Sequence, residues 1–433
     1  MSAVTSTTPK APADPVTPHL EEHAEVGADS PTAWQGRGFS TRAIHAGSDP
    51  TPASGAVITP IYATTTYKQD GVGGLRTGLG AGYEYSRSAN PTRTALEECI
   101  AALEGPSERA FAFASGLGAE DVVLRSVLRP GDHVVVPDDA YGGSYRLIAR
   151  VAGPWGVEHD EVHLADLDAV RATIRPGQTK VVWVETPTNP MLAIADISQL
   201  AHLAHEAGAL LVVDNTFASP YLQNPLALGA DIVVHSTTKY AGGHSDVVGG
   251  AVVVAPGTEA PWMDGIGAVG ASVSERIGFH QNAMGVVPSP FDAFLVHRGL
   301  KTLAVRMEKH CDNAERVAEF LLGHARVREV FYPGLPQHKG HDIAQKQMRR
   351  FGGMVSFRVV GGEEDALNVC KRTEVFTLAE SLGGIESLIE HPGRMTHASV
   401  AGSPLEVPND LIRLSVGIED ADDLIADLDR ALA

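Results

Sequence analysis

Short β-branched runs alternate with amphipathic helical segments through the middle of this 433-residue chain. The predicted strands lie at residues 133–136, 181–184, 210–213, 231–234 and, reversed in direction, 249–254. The predicted helices between several of them lie at residues 118–128, 143–151, 167–174 and 197–207. Parallel strands need long crossover connections, which such helices provide. The alternation therefore predicts an α/β fold with a mainly parallel sheet, covered by helices on both faces.

The first 88 residues lack this alternation. Residues 1–35 are rich in Thr, Pro, Ala and acidic residues, a composition that predicts a disordered tail. Residues 36–88 are turn-rich and predict an extended N-terminal arm. Within this arm, residues 71–82 contain six glycines, which indicates a flexible loop.

The pattern changes again after the segment Pro-Ser-Pro at residues 288–290. We therefore predict a large domain at residues 89–290 and a smaller α+β domain at residues 291–433. The smaller domain is expected to begin with one long helix over residues 291–322 and to end with an acidic helix over residues 420–432.

The charge and cysteine content exclude several classes of partner. The chain has 34 Lys and Arg residues and 53 Asp and Glu residues, so its formal net charge is 34 − 53 = −19. We therefore expect no binding to nucleic acid or to an anionic membrane. No apolar run is long enough to span a bilayer, and the N-terminus lacks the basic start and apolar core of a secretory signal. The three cysteines cannot all pair internally, which favours free, buried thiols in a reducing cytoplasm.

Reactive side chains follow three of the predicted strands. In open α/β sheets, ligands bind at the carboxyl ends of the strands, where Glu185, Asp214 and Lys239 are expected to lie. A lysine that forms an imine, together with a carboxylate that keeps a pyridine nitrogen protonated, is what pyridoxal phosphate requires. Burial and a cationic neighbour would have to lower the pKa of Lys239 for it to be nucleophilic.

The phosphate of such a cofactor needs a site of its own. The segment Ser-Gly-Leu-Gly at residues 115–118 opens a predicted helix, and the exposed amides of a helix N-terminus attract an anion. Ser236 and Thr238 add hydroxyl groups close to Lys239. The glycine pair Gly249 and Gly250 is interpreted instead as a site of tight packing.

A series of ordered motifs resembles those of the Cys/Met-metabolism enzymes that use pyridoxal phosphate, the cystathionine γ-synthase and γ-lyase group. The resemblance covers residues 36–433. The motifs are Tyr-Glu-Tyr-Ser-Arg (83–87), Asn-Pro-Thr-Arg (90–93), Asp-Ala-Tyr-Gly-Gly (139–143), Glu-Thr-Pro-Thr-Asn-Pro (185–190), Val-Asp-Asn-Thr (213–216), Ser-Thr-Thr-Lys-Tyr (236–240), Gly-His-Ser-Asp (243–246), Ala-Glu-Ser-Leu-Gly-Gly (379–384) and Arg-Leu-Ser-Val-Gly-Ile-Glu (413–419).

The resemblance implies the aspartate-aminotransferase-like fold of fold-type I pyridoxal-phosphate enzymes, and it assigns a role to each motif residue. Lys239 and Tyr141 are the implied catalytic residues, and Lys239 also carries the cofactor. The other implied cofactor-binding residues are Asp214 at the ring nitrogen, Tyr141 stacked on the ring, Asn189 near the phenolic oxygen, and Gly116, Leu117, Ser236 and Thr238 at the phosphate.

The resemblance also implies a substrate site and an assembly. Arg413 and Ser381 would bind the α-carboxylate of an amino-acid substrate, with Glu380 beside them; a guanidinium binds both carboxylate oxygens. Tyr85 and Arg87, from the arm, would reach the phosphate of the neighbouring subunit. A homo-oligomer follows, expected to be a tetramer built from dimers with shared sites. Gly118 departs from the alanine usual in the family.

Each of these residues also has an ordinary structural interpretation. Alone, Lys239 is a surface lysine, Asp214 caps a turn, Tyr141 is a turn aromatic and Arg413 forms an ion pair. The His pairs at positions 159 and 163, and at 202 and 205, have no convincing third ligand nearby, so we expect no metal site.

The sequence narrows the reaction without fixing it. Glu380 is similar to synthases and γ-lyases and argues against methionine γ-lyases. Segments 287–290 and 298–303 resemble γ-lyases, whereas segments 70–75 and 387–391 resemble bacterial γ-synthases. We favour γ-replacement, which makes cystathionine from O-succinyl- or O-acetylhomoserine and cysteine. The alternatives are cystathionine γ-lyase, then O-acylhomoserine sulfhydrylase or methionine γ-lyase, and a catalytically silent scaffold.

Overall fold

The computed structural model describes Trp34 and residues 36–48, 54–74, 82–266, 269–397 and 406–433. The predicted disordered tail at residues 1–35 lies outside the described residues, apart from Trp34. The middle of the predicted glycine-rich loop, residues 75–81, lies outside them as well.

A seven-stranded sheet forms the centre of the molecule. Its strands are β1 (Arg109–Phe113), β2 (His133–Pro137), β3 (Glu158–Val162), β4 (Thr179–Glu185), β5 (Leu210–Asp214), β6 (Ile232–His235) and β7 (Gly250–Val254). Their order is β1-β7-β6-β5-β4-β2-β3, and only β7 runs antiparallel to its neighbours. The predicted mainly parallel sheet and its reversed last strand are therefore confirmed.

Helices cover both faces of this sheet. They are α1 (Phe39–His45), α2 (Pro91–Glu104), α3 (Gly116–Val127), α4 (Gly142–Arg146), α5 (Leu167–Thr173), α6 (Ile197–Glu206), α7 (Ser219–Leu222) and α8 (Val273–Met284). Local sequence explains their start points. Asn90 Oδ1 accepts from the amides of Thr92 and Arg93 at the start of α2, and Ser115 Oγ accepts from Gly118 N at the start of α3.

The central strands β5, β6 and β7 are almost entirely apolar because both faces of the sheet are buried there. On β5, Leu211 and Val213 pack into one core with α2 and α6, whereas Leu210 and Val212 pack into the other with α3 and α8. The sequence did not predict two of the strands. β1 is short and contains two alanines, and β3, at the sheet edge, carries four polar residues out of five.

The C-terminal part contains a second sheet of five strands. They are β8 (Val327–Phe331), β9 (Met354–Val359), β10 (Thr377–Leu378), β11 (Leu388–Glu390) and β12 (Leu411–Ser415), in the order β10-β11-β12-β9-β8. Only β10 and β11 are parallel. The helices of this part are α9 (Pro290–Leu300), α10 (Leu303–Gly323), α11 (His341–Gln347), α12 (Gly362–Arg372) and α13 (Ala421–Leu432).

The prediction of one long helix over residues 291–322 was wrong. The chain turns at Lys301 and Thr302, between α9 and α10. Gly299 lies so close to the loop after β6 that a Cβ atom there would approach the carbonyl oxygen of Gly242 to 2.3 Å. The Arg306 guanidinium donates to the Gly299 carbonyl oxygen at 2.8 Å and to the Tyr240 carbonyl oxygen at 2.8 Å. A tertiary contact therefore ends α9.

The predicted domain boundary at residue 290 falls at the start of α9. Ala293 and Val296 of this helix pack into the core of the large sheet, whereas Val317 and Leu321, near the end of α10, pack into the core of the second sheet. The boundary itself stays a prediction. Among the described residues, no helix is long and apolar enough to cross a membrane. The three cysteines are free and buried, as predicted.

Candidate active site

Two buried carboxylates lie side by side at the carboxyl edge of the large sheet. Glu185 ends β4 and Asp214 ends β5, and the two residues are directly in register. Glu185 accepts from the amides of Tyr141 at 2.8 Å and Asn189 at 2.9 Å. Burial, and then the charge of Asp214, raise the pKa of Glu185 well above its usual range.

Asp214 lies in a different balance of forces. Burial raises its pKa. Two influences oppose that shift: hydrogen bonds from Thr216, and the electrostatic effect of the nearby His235. One of these bonds joins Thr216 N to Asp214 Oδ1 at 2.9 Å. Of the two neighbouring carboxyl groups, Asp214 is therefore the one better stabilised as an anion, which suits a partner for a protonated ring nitrogen.

A third carboxylate, which sequence analysis missed, joins this edge from α3. Glu120 is buried, and the Ser144 hydroxyl donates to its Oε1 at 3.1 Å. Burial, and then the charge of Asp214, raise the pKa of Glu120 to about 8. The raised pKa values of Glu120 and Glu185 reflect the cost of placing further negative charge beside Asp214, and a cation bound at this edge of the sheet would reduce that cost.

Lys239 lies in the turn that follows β6. Its backbone carbonyl accepts from Gly243 N at 2.8 Å, and its Nζ donates to Ser381 Oγ at 2.7 Å. Burial, and then the positive charge of Arg413, lower the pKa of Lys239 to about 8, while Glu390 and Glu380 act in the opposite direction. Burial and a cationic neighbour are thus both present, as the proposed chemistry of Lys239 requires.

The start of α3 lies close to Ser236. A Cβ atom on Gly116 would lie 3.0 Å from Ser236 Cβ and 3.1 Å from its hydroxyl oxygen. Leu117 follows Gly116 in the first turn of α3. Thr238 is tied to the start of β7, since its hydroxyl donates to the Gly249 carbonyl at 3.2 Å and accepts from Gly249 N at 3.0 Å. A helix N-terminus beside a hydroxyl suits a phosphate.

Tyr141 lies immediately before α4, and its backbone amide donates to Glu185. Its side chain is 36% exposed, and a Cβ atom on Gly143 would meet the Tyr141 ring at 2.3 Å. Burial, and then the charge of Glu120, raise the pKa of Tyr141. The phenol therefore keeps its proton near neutral pH and can donate it.

Arg413, in the middle of β12, approaches the site from the second sheet. Its Nη1 donates to Asn189 Oδ1 at 2.8 Å and pairs with Glu390 Oε1 at 3.0 Å, and its Nη2 donates to the Ser381 carbonyl at 2.6 Å. Ser381 has a positive φ of 94°, which is rare for a residue other than glycine. Lys239 and Arg413 thus meet at Ser381, and Asn189 binds Arg413.

The remaining predicted residues lie at the surface. Glu380 is exposed but close enough to raise the pKa of Lys239. Tyr85 is 46% exposed, and Arg87 donates to the Asn282 carbonyl at 2.7 Å, with its guanidinium 5.6 Å from the centre of the Tyr85 ring. Within the described part of the chain, neither Tyr85 nor Arg87 hydrogen-bonds to Lys239.

Comparison with known proteins decides the family. The model of the Cys/Met metabolism PLP-dependent enzymes matches residues 40–433. The chain belongs to this family. It is therefore a pyridoxal-phosphate-dependent enzyme, and the predicted family, fold and cofactor are confirmed.

Among curated family members, the chain is similar to cystathionine gamma-synthase of Mycobacterium tuberculosis (strain ATCC 25618 / H37Rv). The two are 59% identical over 404 residues, which is 93% of this chain and 98% of the relative. It is also similar to cystathionine beta-lyase of Coxiella burnetii (strain RSA 493 / Nine Mile phase I), with 49% identity over 398 residues, 91% of this chain and 97% of the relative.

Solved structures of family members share the fold. The structure of metB from Corynebacterium glutamicum has a TM-score of 0.86 and 53% sequence identity, and the match covers 93% of this chain and 99% of that one. Cystathionine gamma synthase from Xanthomonas oryzae pv. oryzae, in complex with aminoacrylate and cysteine, has a TM-score of 0.83 and 44% identity, with coverage of 91% and 97%.

Gly118 stands where the resemblance implies an alanine, and the packing around it gives a reason for glycine. A Cβ atom on Gly118 would lie 2.7 Å from Val286 Cγ1 and 3.1 Å from Ser115 Oγ. The side chain of Val286 therefore occupies the space that an alanine methyl group would need. Gly118 N donates to Ser115 Oγ at 3.0 Å in the first turn of α3.

Pyridoxal phosphate fits the residues that this member of the family presents. The start of α3 at Gly116, together with Ser236, would hold its phosphate, and Asp214 would hold its ring nitrogen. Lys239, with a pKa of about 8, has the nucleophilic amine that the cofactor requires. The donor set therefore agrees with the family's cofactor.

A buried polar belt joins the three strand ends that carry these residues. Glu104 Oε1 binds His235 Nε2, and it accepts from Asn215 Nδ2 at 3.2 Å. Gln223 Nε2 donates to Asn215 Oδ1 at 3.0 Å and to the Thr186 carbonyl at 3.1 Å. Thr186 follows Glu185, Asn215 follows Asp214, and His235 precedes Ser236. The belt therefore fixes the spacing of these three site residues. No local sequence pattern predicts this belt, because its members are far apart in the chain.

Proposed function

We propose that this enzyme is a cystathionine γ-synthase, which makes cystathionine from O-succinyl- or O-acetylhomoserine and cysteine. In this γ-replacement the Cγ–O bond of the acylhomoserine breaks and the acyl group leaves as a carboxylate, while the thiol of cysteine loses its proton to solvent as the Cγ–S bond forms. Relatives named cystathionine gamma-synthase, 59% identical over 93% of the chain, support this choice of reaction.

The observation that carries the proposal is the contact shared at Ser381. Lys239 Nζ lies 2.7 Å from Ser381 Oγ, and Arg413 Nη2 lies 2.6 Å from the carbonyl oxygen of the same residue. A proton acceptor and a carboxylate-binding cation thus lie around one residue. This is the arrangement needed to take the Cα proton from an amino acid that is held by its carboxylate.

Each residue then has one task. Pyridoxal phosphate supplies an electron sink for the negative charge that develops when the Cα proton leaves. Lys239 binds the cofactor and, as a free amine, moves the proton at Cα. Arg413 orients the substrate through its carboxylate, Asp214 would keep a proton on the ring nitrogen, and Tyr141 is the proposed proton donor, through its hydroxyl.

A comparison of two separate assays tests which reaction the enzyme catalyses. The enzyme receives O-succinylhomoserine plus cysteine in one assay and cystathionine in another, and kcat/KM is compared. We expect γ-replacement to be faster, and O-acetylhomoserine in a parallel assay identifies the preferred acyl group. Sulfide in place of cysteine tests for a sulfhydrylase. A larger kcat/KM for cystathionine cleavage would overturn the proposal.

Cleavage of cystathionine is the second candidate, because one 49% identical relative is named cystathionine beta-lyase and a structure at 43% identity is that of a cystathionine gamma-lyase from Lactobacillus plantarum. The products separate the two lyases. Cleavage at Cγ yields cysteine, 2-oxobutanoate and ammonia, whereas cleavage at Cβ yields homocysteine, pyruvate and ammonia. Keto-acid analysis after incubation with cystathionine distinguishes them.

We also infer a homo-oligomer in which Tyr85 and Arg87 complete the site of a neighbouring subunit, with dimers pairing into a tetramer. Both residues are at the surface, and the arm and α8 carry exposed apolar side chains that a partner would cover. These side chains are Val57, Ile58, Ile61, Val72, Phe279 and Met284.

A reducing cytoplasm is the proposed location, because the three cysteines are free.

Mixing two inactive variants tests the shared site. Subunits with Arg87→Ala keep Lys239, and subunits with Lys239→Ala keep Arg87. If Arg87 acts across the interface, random mixing restores about a quarter of the wild-type sites, since half of the dimers are mixed and each contains one complete site. No recovery in dimers shown to be mixed would refute the proposal. Light scattering of the native enzyme measures whether dimers pair into tetramers.

A further inference from the structure

Glu390 is a buried carboxylate in segment 387–391, and none of the roles given so far is assigned to it. It is the last residue of β11 and the direct cross-strand neighbour of Arg413 on β12. Glu390 is 1% exposed and Arg413 is 2% exposed. Thr396 Oγ1 donates to Glu390 Oε1 at 2.8 Å, and the Arg413 Nη1 atom lies 3.0 Å from the same oxygen.

The bonds around Arg413 leave one part of its guanidinium free. Its Nη1 is shared by Glu390 and Asn189, and its Nη2 binds the Ser381 carbonyl. Its Nε is buried and has no hydrogen-bond partner among the described residues. A buried donor without a partner is costly, so a ligand that supplies an acceptor there gains affinity. The α-carboxylate of a substrate is such an acceptor.

We propose that Glu390 is a positioning residue that holds the Arg413 guanidinium ready for the α-carboxylate, and thereby sets the affinity for the amino-acid substrate. The proposal rests on the proposed function in one respect, the role of Arg413 as the carboxylate-binding residue. Strand register supplies the rigidity: the two residues face each other across an antiparallel pair, and neither side chain has room to swing towards solvent.

Glu390 also balances charge in the site. The charged and titratable groups around it are Arg413 on β12, Lys239 after β6, Glu380 after β10 and the Cys370 thiol on α12. Burial raises the pKa of Glu390, and the charge of Arg413 opposes that shift. Its negative charge in turn raises the pKa of Lys239, against the effect of Arg413. Removal of this charge therefore makes Lys239 a weaker base.

Two substitutions separate position from charge. Glu390→Ala removes both, so KM for the amino-acid substrate should rise about tenfold to a hundredfold, with a smaller change in kcat and in cofactor affinity. Glu390→Gln keeps an oxygen that accepts from Arg413 Nη1 but removes the charge. KM should then return to near the wild-type value. A structural role alone would lower Tm in both variants without this contrast in KM.

The charge effect has a readout that needs no turnover. The rate at which the apoprotein captures pyridoxal phosphate, followed by its visible absorption, depends on the unprotonated fraction of Lys239. In Glu390→Gln the inflection of this rate with pH should move to lower pH, by about half a unit or more. Thr396→Val, which removes only a donor to Glu390, should change KM less than Glu390→Ala.

Asp427→Asn is the matched control. Asp427 is also a buried carboxylate of the C-terminal part, and it accepts from the amides of Glu374, Val375 and Phe376. This control should lower Tm and leave KM unchanged. The proposal is overturned if Glu390→Ala binds substrate normally, or if Glu390→Gln raises KM as much as Glu390→Ala does.

The outcome is independent of which reaction predominates. O-succinylhomoserine and cystathionine both present an α-carboxylate, so Glu390→Ala should raise KM for whichever of them the enzyme turns over. A lyase preference would thus contradict the proposed function and leave the role of Glu390 intact. An unchanged KM for both would contradict the role of Glu390 and leave the reaction assignment intact.

Discussion

The two sheets contribute to the site in different ways. In the large sheet, Glu185 and Asp214 end neighbouring parallel strands, and Lys239 lies in the turn after a third. In the second sheet, Arg413 lies within a strand and faces Glu390 across an antiparallel pair. Parallel strands bring reactive residues together wherever their carboxyl ends meet. An antiparallel pair does so only through its register, which no local sequence pattern states.

The two sides also have opposite electrostatic character. The large sheet presents Asp214 and Glu185, joined by Glu120 from α3, and their mutual repulsion helps to raise the pKa values of Glu120 and Glu185. The second sheet presents Arg413, whose positive charge lowers the pKa of Lys239. A protonated ring nitrogen suits the first side and a substrate carboxylate suits the second. The substrate and the cofactor would therefore be held from opposite directions.

The largest effect is expected where the two sides meet, at Lys239. Lys239→Ala should lower kcat by about 10⁴-fold, because no other described amine takes its place as the base. It should also abolish the covalent capture of pyridoxal phosphate, measured by absorbance after gel filtration. Lys180→Ala, on β4, is the control and should have normal activity, since Lys180 contacts the Gly177 carbonyl and the Trp262 ring and no residue of the site. Substantial turnover by Lys239→Ala would remove the basis of the mechanism.

A smaller loss is expected on the side of the large sheet. Asp214→Asn should lower kcat by about 10²- to 10³-fold and weaken cofactor binding, because a neutral amide cannot hold a proton on the ring nitrogen. Steady-state kinetics and cofactor titration measure both effects.

Asp231→Asn provides the control for Asp214, because Asp231 binds Leu211 N and His205 at the opposite edge of the same sheet. Equal losses of activity in both variants would indicate damage to the sheet instead of a cofactor contact.

On the side of the second sheet the effect should fall on KM. Arg413→Lys should raise KM about tenfold to a hundredfold and lower kcat less, since an ammonium group cannot replace the fork that binds both carboxylate oxygens. Arg358→Lys on the neighbouring strand β9 is the control, because Arg358 pairs with the carboxylates of Asp410 and Glu329 and with no residue of the site. A fall in kcat alone would place Arg413 outside substrate binding.

The smallest effect concerns the electrostatic link between Arg413 of the second sheet and Lys239 of the large sheet. Capture of pyridoxal phosphate by the apoprotein needs unprotonated Lys239, whose pKa is about 8. The capture rate should therefore rise about tenfold per pH unit below pH 8 and level off above it. Removal of the positive charge in Arg413→Gln raises the pKa of Lys239, so the inflection should move to higher pH.

Arg413→Lys keeps that charge and serves as the comparison. Its inflection should stay near the wild-type value although its KM is raised. If the inflection is the same in all three proteins, the electrostatic link between Arg413 and Lys239 is absent.

The sequence by itself determined the α/β class, most of the parallel strands, the family and the position of Lys239. These features are local. A β-branched run between helices identifies a buried strand, and the residue that follows it identifies a position at the carboxyl edge of the sheet. The same reasoning failed where a strand was polar or rich in alanine, as in β3 and β1, because its partners and not its composition make it a strand.

Only the tertiary structure decided which distant residues support the site. Glu120 comes from a helix, Glu390 faces Arg413 from a strand 23 positions earlier in the chain, and Glu104 binds His235 from the end of α2. The turn at Lys301 and Thr302 likewise depends on Arg306 and the loop after β6. Burial and register create these contacts, and with them the lowered pKa of Lys239. Both depend on how separate elements pack, which the order of residues within each element does not specify.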